Sequence, residues 1–254
     1  YNGFLSDADI QTVVFSHGSS FRNELCPLVF KSSNLGGLMI IGLVDSWITR
    51  NVLRFSKLEG VYFMKRSINM QSFINEITFM NTYNILLDEN ILNEHVFGNS
   101  ITLFIYGHIR LIDANVFKSF RFLRRLDLTL KNFREFVHKS NNDWLKSFRT
   151  TSKNMRISFT LNKQDYTFPD EDFCLFKHFQ PDSKISIQLI FAVSTKENLN
   201  KSCLMLFLTQ NLKEAKRGRI GGNDMIYILF DKEDLESLKR CNISKRINMC
   251  NNLT

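Results

Sequence analysis

Leu103-Phe104-Ile105-Tyr106-Gly107-His108-Ile109 and, about 23 residues further on, Leu126-Asp127-Leu128-Thr129-Leu130 are the stretches on which the fold turns. Each sets large apolar residues at every second position, the pattern of a strand with one buried face. Ile112, Phe117, Phe120 and Leu123 continue the apolar series after the first strand, and Phe133 and Phe136 follow the second. A strand, an apolar return path and a helical turn with Phe-x-x-Phe spacing, repeated at this interval, describe one coil of a stacked solenoid. One such coil cannot hold itself in place. Stacking buries its faces against its neighbours and joins their strands into a parallel sheet.

Weaker copies lie to either side. Leu35-x-x-Leu38-x-Ile40, Leu58-x-x-Val61-x-Phe63 and Ile74-x-x-Ile77-x-Phe79 keep the spacing of Leu123-x-x-Leu126-x-Leu128, and Ile157 with Phe159 and Ile185 with Ile187 read as strands of longer, irregular repeats. About seven strands result. The expected fold is α/β: a curved solenoid with parallel strands on its concave face and short helices, 3-10 turns and loops on its convex face.

The signature LxxLxL, and the run Leu86-Leu87-Asp88-Glu89-Asn90-Ile91-Leu92-Asn93-Glu94-His95-Val96-Phe97 followed by Leu103-Phe104-Ile105-Tyr106-Gly107, resemble the extracellular leucine-rich-repeat domains of animal cell-surface receptors. The central repeats of invertebrate ectodomains joined to seven-helix receptors look similar. The resemblance implies three parts: residues 1–34 as the remnant of an N-terminal cap ending near Cys26-Pro27, residues 35–195 as the repeats, and residues 196–254 as a cysteine-bearing C-terminal cap. Ser202-Cys203-Leu204-Met205-Leu206-Phe207-Leu208, with Cys241 and Cys250 downstream, resembles that cap. The family usually has a CxC pair there, but Lys201 stands where the first cysteine would fall, which puts one of the two customary disulfides in doubt. Cys174 is the replacement partner that the resemblance offers, and the pairing stays open.

Composition agrees with a folded domain. The chain of 254 residues is 44% hydrophobic and 23% charged, and its 24 Phe place aromatic rings where Leu often stands in a core. Its net charge of +8 would suit an anionic partner, but Lys and Arg are scattered, and the densest cluster, Lys213, Lys216, Arg217 and Arg219, lies in an expected loop. Nucleic acid is therefore not the expected partner. The longest apolar stretch, Leu35 to Val44, is far shorter than the roughly 20 residues that a spanning helix needs, so a membrane enters only through a tether outside these residues. A chain that opens at Tyr1 without a signal-like segment is expected to be a fragment, a mature form or an excised ectodomain.

None of the five cysteines forms a CxxC pair, and no His stands at zinc-ligand spacing from them. Three cysteines crowd the last 52 positions, near the glycosylation sequons at Asn200, Asn242 and Asn252. That neighbourhood points to an oxidising, secretory compartment and to a cell-surface or extracellular location.

Signals for catalysis are weak. No GxSxG elbow occurs, and His17, His95, His108, His138 and His178 are dispersed. His108 lies near a position where such repeats often carry Asn, so a hydrogen bond in the turn is expected of it. Asp170-Glu171-Asp172 and Asp231-Lys232-Glu233-Asp234 are expected to begin helical turns, where carboxylates accept free backbone N–H groups. Gly218-Arg219-Ile220-Gly221-Gly222 lacks the GK[ST] ending of a phosphate loop and reads as a flexible loop. No enzyme, metal or cofactor is expected.

Residues between the buried strand positions should point into the concave face: Met39 and Ile41, Tyr62 and Met64, Thr78 and Met80, Phe104 and Tyr106, Asp127 and Thr129, then Ser158 and Thr160. An apolar row ending in two aromatics, followed by a polar half, marks a surface for a protein or peptide ligand, with Tyr62, Phe104 and Tyr106 as anchors. A slip of one residue would send these rings into the core. An intracellular adaptor and a basic nucleic-acid binder are the competing classes.

Overall fold

A computed structural model of the chain describes residues 9–16, 34–41, 73–89, 91–92, 97–140, 142–150, 155–162, 166–177, 179, 185–192, 201–209, 218–220, 223–227, 236 and 240–252. Seven strands run parallel in sequence order: β1 (Asp9–Ser16), β2 (Asn34–Ile41), β3 (Phe73–Leu87), β4 (Thr102–Ile112), β5 (Arg125–Leu130), β6 (Met155–Asn162) and β7 (Ile185–Ala192). Each pairs with the strand before it and the strand after it, as stacking coils require. Beyond β7 the sheet closes with β8 (Gly218–Ile220) and β9 (Asn223–Tyr227), β9 pairing antiparallel with both neighbours. This hairpin uses up the hydrogen-bonding edge that β7 would otherwise present.

Register follows the apolar alternation. One core row runs through Val13, Leu38, Ile77, Leu103, Leu126, Ile157 and Ile187, and the next through Ile40, Phe79, Ile105, Leu128, Phe159 and Leu189. From Leu38 and Ile40 onward every member of both rows is buried. Two features differ from the expected set of rungs. β1 is an additional strand, and β2 pairs directly with β3, which leaves no place between them for a rung at Leu58-Val61-Phe63. Leu58 to Phe63 lie outside the described residues, as does Cys26.

On the core side, Phe117-x-x-Phe120 forms a turn and Phe133-x-x-Phe136 opens α1 (Phe133–Ser140), as their spacing predicts. Their rings build a continuous aromatic layer. Phe117 stacks on Phe148 at 4.6 Å with Trp144 edge-on to both, and Trp144 reaches Phe136. Phe133 then packs on Phe159, Tyr166 and Phe168, and Phe168 reaches Phe191. Offset and edge-on contacts add to the burial of these large rings. They tie the connections that follow β4, β5 and β6 to one another and to β7.

β3 and β4 outrun their neighbours because both bend. The β3–β4 pairing shifts at Thr82, where Asn81 and Asn84 adopt positive φ of 54° and 52°, and Gly107 takes φ 136° opposite. Past the bend, Ile109 faces Asn132. The Ile109 N–H donates to Asn132 Oδ1 at 3.2 Å, and Asn132 Nδ2 donates to the Ile109 carbonyl at 2.9 Å, so one amide satisfies both backbone groups of the preceding coil. The role expected near His108 falls to Asn132. The His108 ring instead faces Tyr83 at 5.8 Å.

The C-terminal end is cross-linked. Cys174, in the 3-10 helix Asp170–Phe176, is bonded to Cys250 in α3 (Ile243–Asn252), and Cys203 in α2 (Cys203–Thr209) to Cys241. All four expected cysteines pair. α2 is buried from Leu204 to Thr209 and caps the open end of the core beside β7, its Phe207 ring packing against Phe173 and Phe179. Asp170 does begin a helical turn, but its Oδ1 accepts the Leu204 N–H of α2 at 3.1 Å rather than an N–H of its own helix. Gly218–Ile220, expected in a loop, is strand β8 because the edge of β9 supplies it with partners. Lys213, Lys216, Arg217 and Asp231 to Asp234 lie outside the described residues.

Candidate functional site

Opposite the core, the sheet presents a second set of rows. One is Val14, Met39, Thr78, Phe104, Asp127, Ser158 and Gln188; a parallel one is Thr12, Gly37, Glu76, Thr102, Arg125, Arg156 and Ser186. Alternation puts Phe104 and Tyr106 on this face between the buried Leu103, Ile105 and Gly107, so they stand outside the core and partly exposed. Met39, Ile41, Met80, Thr129 and Thr160 are partly exposed too. Three positions expected to be open are not: Thr78 is 6% exposed, Asp127 8% and Ser158 2%. Their side chains are short, and adjacent strands stand only about 4.8 Å apart, so larger neighbours cover them. Tyr62 and Met64 lie outside the described residues, as do His17, His95 and His178.

Phe104, Tyr106, Arg125 and Asp127 form one cluster. The Arg125 guanidinium lies 2.6 Å from Asp127 Oδ2, its Nε donates to the same oxygen at 2.8 Å, and its carbon sits 4.9 Å over the Phe104 ring. The Phe104 and Tyr106 rings stack at 6.3 Å. Burial pushes the Tyr106 hydroxyl above its ordinary ionisation range, and the Asp127 charge adds to it, so the phenol stays a neutral donor. Arg125 loses some hydration, yet its hydrogen bond to Asp127 and that charge more than offset the loss and fix its proton. Asp127 Oδ1 is buried without a hydrogen-bond partner among the described residues.

The cluster can hold a polar group between a fixed cation and a phenol, with an aromatic shelf beneath it. Arg125 is already immobilised by Phe104 and Asp127, so less side-chain entropy remains to be lost on binding. Glu76 and Arg125 are not among the expected site residues because both lie outside the LxL pair. Period-2 alternation carried two residues further toward each strand's N-terminus finds both.

A second polar group sits on the core side of the sheet. Tyr166 donates to Asp172 Oδ2 at 2.7 Å, and His138 Nε2 lies 3.2 Å from the same oxygen. Burial, then the bond to Asp172, raises the Tyr166 phenol far above its usual 10.0. A group whose pKa is higher in the folded than in the unfolded state stabilises fully below the unfolded value and loses that contribution as pH rises beyond it. The urea midpoint should therefore fall steeply above about pH 10, and Tyr166→Phe should flatten that alkaline limb. Identical limbs for the two proteins would contradict the assignment.

Asn242, one of the sequon residues, is exposed and caps α3, accepting the Lys245 N–H on its Oδ1 at 3.2 Å. Asn252 is exposed at the end of α3, and Asn200 lies outside the described residues. Among the described residues no group of His, Cys, Asp and Glu is arranged to hold a metal ion, and no helix is long and apolar enough to cross a membrane. Compared with known proteins, the chain matches no family model, no curated protein and no solved structure.

Proposed function

We propose that this chain is a leucine-rich-repeat domain of a cell-surface or secreted protein, and that the face of its sheet opposite the core recognises a protein or peptide ligand. In-register parallel rungs, 23 residues apart between Leu103 and Leu126 and wider elsewhere, the Asn132 clamp on the preceding strand and the aromatic layer on the return path support the repeat. The two disulfides favour an oxidising compartment, which supports the extracellular reading over an intracellular adaptor.

One observation carries the recognition reading: Phe104, Tyr106, Arg125 and Asp127 share the open face as a preorganised, partly exposed cluster. Large rings beside a fixed guanidinium are the residue types that dominate interface energies. Peptides selected by display on the oxidised chain test this. Their binding should weaken about thirtyfold with Tyr106→Ala and with Phe104→Ala, the range of a hot spot near 2 kcal/mol, while far-UV circular dichroism stays unchanged. Selected peptides that bind both variants as tightly as the parent would overturn the proposal.

A further inference from the structure

We infer that the open face also contains a subsite for a cationic side chain, a Lys or Arg of the ligand, seated in a glycine-floored cavity between β1 and β3 with Glu76 as counter-charge. The inference rests on reading this face as a recognition surface and adds the chemistry it selects. The cavity measures about 260 Å³ and is bounded by Gln11, Thr12, Gly37, Met39, Glu76 and Thr78. It exists because β2 has no side chain where its neighbours have Thr12 and Glu76: Gly37 occupies that rung. The neighbouring Gly36 is required for another reason, since a Cβ there would stand 2.4 Å from the Gln11 carbonyl oxygen. At Gly37 an added Cβ would meet only the Thr12 side chain, at 3.6 Å. Packing does not demand glycine at this position, and the space remains open.

The walls match an amphipathic cation. Met39 offers an apolar flank for a methylene stem, Gln11 and Thr12 give the opposite wall polar character, and Glu76 supplies the charge. Thr78 Oγ1 donates to Glu76 Oε1 at 3.4 Å, which anchors the carboxylate at the cavity wall. Among the described residues Glu76 forms no salt bridge; Arg125, in the same row two strands away, is committed to Asp127. A chain with a net charge of +8 thus presents, inside a cavity, a carboxylate without a salt bridge among the described residues, which selects a cation against the protein's overall field.

Nα-acetyl-arginine amide, with the neutral Nα-acetyl-citrulline amide as its control, is the direct probe, followed by amide NMR shifts of the full oxidised chain. Saturable shifts centred on Gly37, Met39 and Glu76 are expected with the arginine compound alone. Glu76→Gln should weaken them at least tenfold, and Gly37→Val, which fills the cavity with a strand-favouring side chain, should abolish them. Equal binding of the citrulline compound, or arginine binding unchanged in Glu76→Gln, overturns the subsite. The display-selected peptides separate the two readings. Peptides that need Phe104 and Tyr106 but ignore Glu76 and Gly37 remove the subsite and leave the recognition face, whereas peptides indifferent to all four residues remove both.

Discussion

Reduction of the two disulfides is expected to unfold this protein at 25 °C, or to leave it so marginal that its urea midpoint falls close to zero. The bridges join residues 38 and 76 positions apart, and loops of those lengths correspond to about 4 kcal/mol each in the chain-entropy account. One lies within the other along the chain, so the second to close adds less than it would alone. The sum still approaches the whole stability of an ordinary domain, about 5–15 kcal/mol. The location aggravates the loss. α2 covers the end of the core beside β7 and α3 packs on the 3-10 helix Asp170–Phe176, and Cys203 and Cys250 are the links that hold them there. Urea titrations with and without a phosphine reductant, with free thiols counted, would measure it. An unchanged midpoint after complete reduction would show that packing alone retains the cap.

Gly107→Ala should be the most damaging single methyl group that can be added to the sheet. Its Cβ would stand 2.4 Å from the Thr82 carbonyl oxygen and 2.6 Å from the Thr82 nitrogen, and the residue would have to keep φ 136°, a conformation that side chains other than glycine rarely adopt. Neither contact can be relieved by turning a side chain, because both are to backbone. Thr82 is itself fixed: its hydroxyl donates to the carbonyls of His108 at 3.1 Å and Tyr106 at 3.4 Å, on either side of the glycine. A loss of about 3 kcal/mol or more is expected, the range reached when core overpacking is combined with backbone strain. Gly37→Ala is the control. Its Cβ meets only ordinary contact distances, so its stability should stay within about 1 kcal/mol of the parent. If denaturant titration gives the two variants the same midpoint, the bend is not the constraint described here.

The strands β2 to β7 were legible because a buried face writes itself as apolar alternation, and Leu38, Ile77, Leu103, Leu126, Ile157 and Ile187 each sit at the start of such a pair. The local pattern did not decide which strands pair. Leu58-Val61-Phe63 has the spacing, yet β2 meets β3 without an intervening rung. β1 carries the same spacing, as Ile10-x-x-Val13-x-Phe15, and is a further rung, with Ile10 and Val13 packed against the same core. Of the face opposite the core, the placement of Phe104 and Tyr106 could be read directly. The burial of Thr78, Asp127 and Ser158, and the cavity at Gly37, could not.

What the amino-acid sequence determined by itself is therefore local and periodic: which residues of β2 to β7 face the core. The tertiary structure alone decided which strands become neighbours, which cysteines meet, and which residues of the open face act together. Cys174 finds Cys250, Arg125 finds Asp127 and Phe104, and Glu76 is left beside a cavity because strands far apart in the chain stand side by side in the sheet. Period and alternation constrain a residue relative to its own strand; contacts across strands depend on register and on the size of the neighbouring side chain, which no single repeat encodes.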